Sequence, residues 1–201
     1  MWLTVIRNYD NIWANPQSIS AQGLRRIRQG GLVVYPAEGC YGIGCDPRNR
    51  AAVRALLHLK KRHPSQGLIL VAAGEWQLRN WIAPAFRGNK LDPARATWPG
   101  PVTWLVPAAH GTPYWLRGRN TCIAVRVTDH PPLATLCRAA RTALVSTSAN
   151  GRGQVAARRP HQVYDQFGGI LGGVLPGHLG ALHQCTEIRD LVSGQVLRVA
   201  Y

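Results

Sequence analysis

Two apolar patterns alternate along the chain. Helical spacing marks residues 16–29, where Leu24 and Ile27 share a side with Ile19 and where Ser18 or Ser20 is placed to cap. It marks 49–61 more clearly, with Val53, Leu56 and Leu57 behind Asn49 as N-cap, and it recurs over 75–82, 84–96, 132–140 and 161–167. Short continuous apolar runs bounded by glycine or proline predict buried strands at 32–35, 67–71, 102–106, 122–127 and 143–148. Residues 187–192 and 195–199 predict a terminal hairpin that turns at Ser193-Gly194. The glycine-rich stretch 168–180 carries neither pattern. Several neighbouring strands have no helix between them. The expected fold is therefore α/β, an open twisted mixed sheet with flanking helices. No repeat, linker or compositional break divides the chain, so a single domain over 1–201 is expected.

Three stretches carry polar chemistry on this frame. The run Ala143-Leu-Val-Ser-Thr-Ser148 ends in hydroxyls and is followed by Ala149-Asn150 and a glycine-containing loop. In open α/β sheets the carboxyl ends of strands border the ligand crevice. Uncharged Ser146, Thr147, Ser148 and Asn150 would orient a ligand there, although an ordinary Asn-Gly turn explains the same residues. Gly39, Gly42 and Gly44 follow the first strand and allow a ligand close to the backbone. Their spacing is neither the dinucleotide fingerprint nor a Walker loop. The helix 49–61 ends in a cluster, His58, Lys60, Lys61, Arg62 and His63, larger than helix-dipole compensation requires. Arg126 lies inside an apolar strand, and a buried arginine needs an anion, either a protein acid or a ligand. With so few acids in the chain, a ligand is the favoured partner.

Composition narrows the classes. There are 24 Lys and Arg against nine Asp and Glu, a formal charge of +15, which attracts nucleotides, RNA and phosphates. Clustered carboxylates for a two-metal or glycosidase site are missing. The five cysteines, Cys40, Cys45, Cys122, Cys137 and Cys185, contain no CxxC pair, and no His/Cys set completes a zinc site. They read as reduced thiols of a cytoplasmic protein. Residues 1–10 lack a signal-peptide core and no run reaches membrane-spanning length, so no membrane partner is expected.

Taken together, six stretches resemble the YrdC/Sua5 family, which includes the bacterial threonylcarbamoyl-AMP synthases. They are Tyr35-Pro-Ala-Glu38 with Tyr41-Gly-Ile-Gly44; Leu59-Lys-Lys-Arg62 followed by Gly67-Leu-Ile-Leu70; Trp98-Pro-Gly-Pro-Val-Thr103; Ala124-Val-Arg-Val127 with His130-Pro131; Ser146-Thr-Ser-Ala-Asn150; and Thr186-Glu-Ile-Arg-Asp190 with Leu197-Arg198. Their order is the family's and they cover nearly the whole chain. The length resembles the single-domain form rather than the longer Sua5 form.

The resemblance implies a large basic concave cavity and an enzyme. L-threonine, bicarbonate and ATP would give threonylcarbamoyl-adenylate and pyrophosphate, for the t6A modification at position 37 of tRNAs that read ANN codons. It implies ATP as substrate, with Mg2+ held mainly through the phosphates and no protein-bound metal. It also implies affinity for tRNA or other RNA, and contact with proteins of the t6A transferase complex. The family's KxR…SxN signature falls on Lys60, Arg62, Ser148 and Asn150. On that pattern Lys60 and Arg62 are the catalytic cations that neutralise phosphate and carbonate oxygens. Arg126 would pair with the threonine carboxylate. Ser148 and Asn150 would orient amino acid and nucleotide, and Thr186 and Arg198 would close the site.

Three departures stand out. Ala37 occupies a position usually held by threonine, which puts threonine affinity in question. His63 precedes the proline at Pro64. Gly151-Arg152-Gly153 replaces the usual Leu-Ser-Gly. The competing reading is a non-catalytic RNA-binding or ribosome-assembly factor on the same fold. Carbamoyl transfer, as in related domains of hydrogenase maturation proteins, is expected to need acylphosphatase and zinc-finger segments that this sequence does not show.

Overall fold

The computed structural model describes residues 16–171, 174–182 and 186–199, with side chains from residue 21. The expectations for residues 1–10, the side chains of Ser18, Ile19 and Ser20, His183 and Cys185 lie outside the described residues. In chain order the elements are α1 (Pro16–Arg28), β1 (Val33–Pro36), β2 (Tyr41–Cys45), α2 (Arg50–Leu59), β3 (Ile69–Ala72), α3 (Asp92–Arg95), β4 (Val102–Pro107), α4 (Tyr114–Arg117), β5 (Cys122–Val127), α5 (Pro131–Ala140), β6 (Leu144–Ser148), α6 (Pro160–Phe167), β7 (Glu187–Asp190) and β8 (Val196–Arg198). Ser18 and Ser20 fall inside α1, which starts at Pro16, so neither is its cap.

The strands form one eight-stranded sheet in the order β1-β2-β6-β3-β5-β4-β7-β8. The pairs β3/β5 and β4/β7 are parallel and the rest antiparallel, the mixed sheet expected from the uneven spacing of helices. Successive residues divide between its faces, as the two-residue strand period requires. Val33, Tyr35, Val71 and Leu144 pack with Ile27 of α1 and with Leu133, Leu136 and Cys137 of α5. Val34, Leu70 and Val145 face the other way, onto Val53, Leu56 and Leu57 of α2. These three α2 side chains are at most 6% exposed. At about 1.5–3 kcal/mol each, their burial dominates the stability of a ten-residue helix. Asn49 caps α2 as its position predicts, its side chain accepting from Ala52 N at 3.0 Å.

Two expectations change. The stretch 75–96 is not two helices but single turns of 3-10 helix at Glu75–Gln77, Pro84–Phe86 and Gly88–Leu91, followed by the single turn α3. Leu78, Ile82, Leu91 and Ala94 are buried, and that spacing imitates a helix. However, Ala83 N donates to Pro107 O and Ala109 N to Trp81 O, so this backbone is tied to the end of β4. Pro84, Pro93 and the left-handed Gly88 (φ 68°) complete the interruption. Second, the stretch bearing Gly39, Gly42 and Gly44 is not one loop, because Gly42 and Gly44 lie within β2. A Cβ on Gly42 would sit 2.6 Å from the Tyr35 ring, and one on Gly44 2.3 Å from Val145 O. These glycines make room for the buried Tyr35 and a neighbouring strand. Ligand approach is not needed to explain them.

Candidate active site

On the α1/α5 face the helices cover only part of the sheet. The rest of that face carries small residues, Gly42, Cys122, Ala124, Ser146 and Ser148, and they floor a cavity of about 360 Å3. Arg62, Arg117, Arg126 and Arg198 line it, with Glu38 as the single acid of the lining among the described residues. Of the residues expected at the site, Arg62, Arg126, Ser148, Thr186 and Arg198 line this one cavity. Lys60 and Asn150 stand immediately behind it and are bonded to its wall.

Lys60 follows the last residue of α2 as its C-cap. Its ammonium donates to Ser148 O at 2.7 Å, Asn150 O at 2.5 Å and Asn150 Oδ1 at 2.8 Å. Three acceptors match its three donors. Ser148 Oγ also donates to Asn150 Oδ1 at 2.6 Å, and Asn150 Nδ2 donates to Gln154 O at 2.7 Å. The two halves of the signature, 88 residues apart, are thus one knot, in which Lys60 tethers the end of β6 to the end of α2. Burial and the neighbouring Arg62 lower the Lys60 ammonium to about 8.

Arg62 and Arg198 are held in the same way. Arg62 grips Gly67 O with Nε at 3.1 Å and Nη2 at 2.7 Å, and Arg198 grips Thr186 O with the same two atoms at the same two distances. In each the Nη1 edge takes no part in the grip. Burial and then Arg198 hold Arg62 below the usual guanidinium range, a sign of two like charges placed close together.

Arg126, 4% exposed, corrects the expectation of a ligand in place of a protein acid: its Nη1 lies 2.8 Å from Glu38 Oε1. Its Nε is buried and has no hydrogen-bond partner among the described residues. Glu38 also accepts from Thr128 Oγ1 at 2.5 Å. Burial pushes the Glu38 carboxyl up, but Arg126 and Thr128 outweigh it and the net shift is downward. The loop bearing Glu38 is clamped from behind. Arg158 Nη1 donates to Gly39 O and Leu182 O, Gly180 N to Ala37 O, and Leu182 N to Glu38 O.

Sequence reasoning missed Glu38, Thr128, Arg117 and the clamp by Arg158. The signal for Glu38 was present, since a buried arginine in an acid-poor chain needs an anion and Glu38 lies in one of the matching stretches. Ala37 lines the cavity, so the departure at this position faces the site. His63 instead caps the turn Pro64–Gln66, its side chain accepting from Ser65 N at 3.2 Å. Gly151 N donates to Gln166 Oε1 at 2.8 Å, and Arg152 is exposed, so neither belongs to the cavity lining.

Known proteins resemble this chain over most of its length. The Sua5/YciO/YrdC family model, described as "Telomere recombination", matches residues 25–200. The threonylcarbamoyl-AMP synthase of Nitrosococcus oceani is 49% identical over 176 residues, covering 87% of this chain and 94% of that protein. That of Halorhodospira halophila is 48% identical over 172 residues, covering 86% and 90%. Among solved structures, P. abyssi Sua5 complexed with L-threonine superposes with a TM-score of 0.83 at 25% identity; the match covers 92% of this chain and spans 55% of that protein. With the family model spanning most of its length and relatives near half identity, this chain belongs to the Sua5/YciO/YrdC family.

Proposed function

We infer that the chain is a threonylcarbamoyl-AMP synthase, joining L-threonine, bicarbonate and ATP into threonylcarbamoyl-adenylate with release of pyrophosphate and water. One observation beyond family membership carries this reading. Lys60, Ser148 and Asn150 form one hydrogen-bonded knot beside Arg62, at the wall of one arginine-lined cavity. A non-catalytic RNA-binding role would not require that assembly.

The proposed roles follow from the contacts. All three substrates bring negative charge, and the site must suppress their mutual repulsion. The Nη1 edges of Arg62 and Arg198 face the triphosphate, and they stabilise the charge that gathers on pyrophosphate as it leaves. The guanidinium of Arg126, in the cavity lining, donates to the threonine carboxylate. Ser148 and Asn150, locked by Lys60, orient the amino acid and nucleotide by neutral hydrogen bonds, and Thr186 supports Arg198 through its carbonyl. The amine of threonine attacks the carbonate carbon and water departs. The resulting carboxylate then attacks the α-phosphorus and pyrophosphate departs. Most of the acceleration comes from holding these partners in line.

Mg2+ would enter on the phosphates of ATP and lend further neutralisation. Glu38, the one acid of the lining among the described residues, is already engaged by Arg126 and Thr128. No helix among the described residues is long and apolar enough to cross a membrane. Delivery of the product toward tRNA, through partner proteins of the t6A transferase complex, belongs to the same proposal.

The test is pyrophosphate release by the purified chain, with the nucleotide product identified by mass spectrometry. Release that requires both L-threonine and bicarbonate, with a threonylcarbamoyl-adenylate mass, is the expected result. A folded chain that hydrolyses ATP without regard to threonine, or not at all, refutes the assignment.

A further inference from the structure

The carboxylate of Glu38 and the guanidinium of Arg126 face each other across the cavity wall, and a third group sets their geometry. Thr128, fully buried, donates its hydroxyl proton to Glu38 Oε1 at 2.5 Å. The same oxygen of Thr128 accepts from the backbone N–H of His130 at 3.1 Å. That N–H can only donate. It therefore occupies the acceptor side of the Thr128 hydroxyl and leaves its proton for Glu38. His130 precedes the first residue of α5, so the direction of this short chain is anchored to a helix start. The order is His130 N–H to Thr128, Thr128 O–H to Glu38, Glu38 to Arg126.

We propose that Thr128 is a positioning residue for the reaction. Its hydroxyl, aimed by the His130 N–H, fixes the Glu38 carboxylate and, through it, the Arg126 guanidinium that meets the amino-acid substrate. Thr128 does not touch the substrate on this reading; it acts through Glu38 and Arg126. The proposal rests on the assignment of Arg126 to the threonine carboxylate.

Arg126 lies on β5 with a 4% exposed side chain, and its Nη1–Glu38 approach of 2.8 Å lacks good hydrogen-bond alignment while its Nε has no partner among the described residues. Glu38 is the one ion-pair partner of Arg126 among the described residues, so the position of this carboxylate sets where the guanidinium rests. Among the described residues Glu38 has one side-chain donor besides Arg126, and that donor is Thr128. The titratable groups that sense the Glu38 charge are Arg126 on β5 and His130 and Cys137 at α5.

The experiment compares the wild type with Thr128→Val, which keeps the shape and removes the hydroxyl, and Thr128→Ser, which keeps the hydroxyl. Glu38→Gln serves as a second probe should the valine variant fold poorly. Steady-state pyrophosphate release is measured against threonine and ATP separately, across pH, with Tm recorded for each protein. The expected result is a KM for threonine raised about tenfold or more in Thr128→Val and Glu38→Gln, the range for losing a hydrogen bond to a charged group. The KM for ATP stays within about twofold, and Thr128→Ser behaves as wild type. The acid limb of kcat/KM for threonine moves to higher pH in Thr128→Val, because a carboxylate that loses its donor binds its proton more tightly. Equal behaviour of the valine and serine variants overturns the proposal. So does a rise in both KM values that tracks a falling Tm. A wild-type chain without threonine-dependent release overturns the functional reading itself, and this inference with it.

Discussion

Replacing Lys60 with methionine separates two accounts of the signature lysine. If Lys60 is a mobile charge for the phosphates, removing it should cost activity and leave the fold intact. The structure instead makes it a tether. Its three donors go to Ser148 O, Asn150 O and Asn150 Oδ1. In Lys60→Met, Asn150 Oδ1 keeps its bond from Ser148 Oγ and Ser148 O its bond from Asn150 N, but the carbonyl of Asn150 loses the ammonium. Leaving a buried acceptor unpaired costs about 1–3 kcal/mol. The variant recovers the expense of half-burying an ammonium, which offsets part of that loss. We expect a net destabilisation of about 1 kcal/mol, which for a chain of this size lowers Tm by roughly 2–4 °C. Activity should fall by about two orders of magnitude or more, because Ser148 and Asn150 lose their common anchor. Circular-dichroism melts and the pyrophosphate assay on the same preparation read both quantities. An inactive Lys60→Met protein with an unchanged Tm would refute the tether and return Lys60 to direct contact with ligand.

Further predictions follow from other contacts. With Lys60 held to about 8, activity should decline as pH rises through that value, while stability should not decline with it. Its folded value lies below its unfolded one, so above about 8 the unfolded chain holds more protons and this group adds stability as pH rises; melts and rates at pH 7, 8 and 9 test both signs. Gly44→Ala forces a Cβ against Val145 O and should cost about 1–3 kcal/mol in denaturant unfolding, whereas an unchanged midpoint would show that β2 shifts freely. Asn49→Ala removes the cap on α2 and should cost about 1 kcal/mol with no change in KM for either substrate.

Most strands were legible as short apolar runs bounded by glycine or proline, and β5 was read to its end residues, but β2, with Gly42 and Gly44 inside it, was read as a loop. The region 75–96 was not, because Leu78, Ile82, Leu91 and Ala94 carry helical spacing while their backbone is pulled onto the end of β4. Periodicity reports which side chains are buried and is silent on where the backbone hydrogen bonds go. At the site, the signature pointed to Lys60 and Asn150 but not to the bond between them, since that contact depends on β2 and β3 flanking β6 in the sheet. The partner of Arg126 was misjudged for a related reason. Few acids in the chain does not mean none nearby, and the turn between β1 and β2 brings Glu38 to β5 across the sheet.

The matched grips on Gly67 O and Thr186 O have an entropic consequence. A free arginine side chain gives up on the order of 2 kcal/mol of rotamer freedom when a ligand fixes it. In Arg62 and Arg198 that freedom is already surrendered in the folded chain, before any nucleotide arrives. Capture of a phosphate group then freezes little beyond the ligand itself. Calorimetry of simple inorganic pyrophosphate should accordingly show a small entropic penalty, and Arg62→Lys should bind more weakly by entropy although its charge is unchanged.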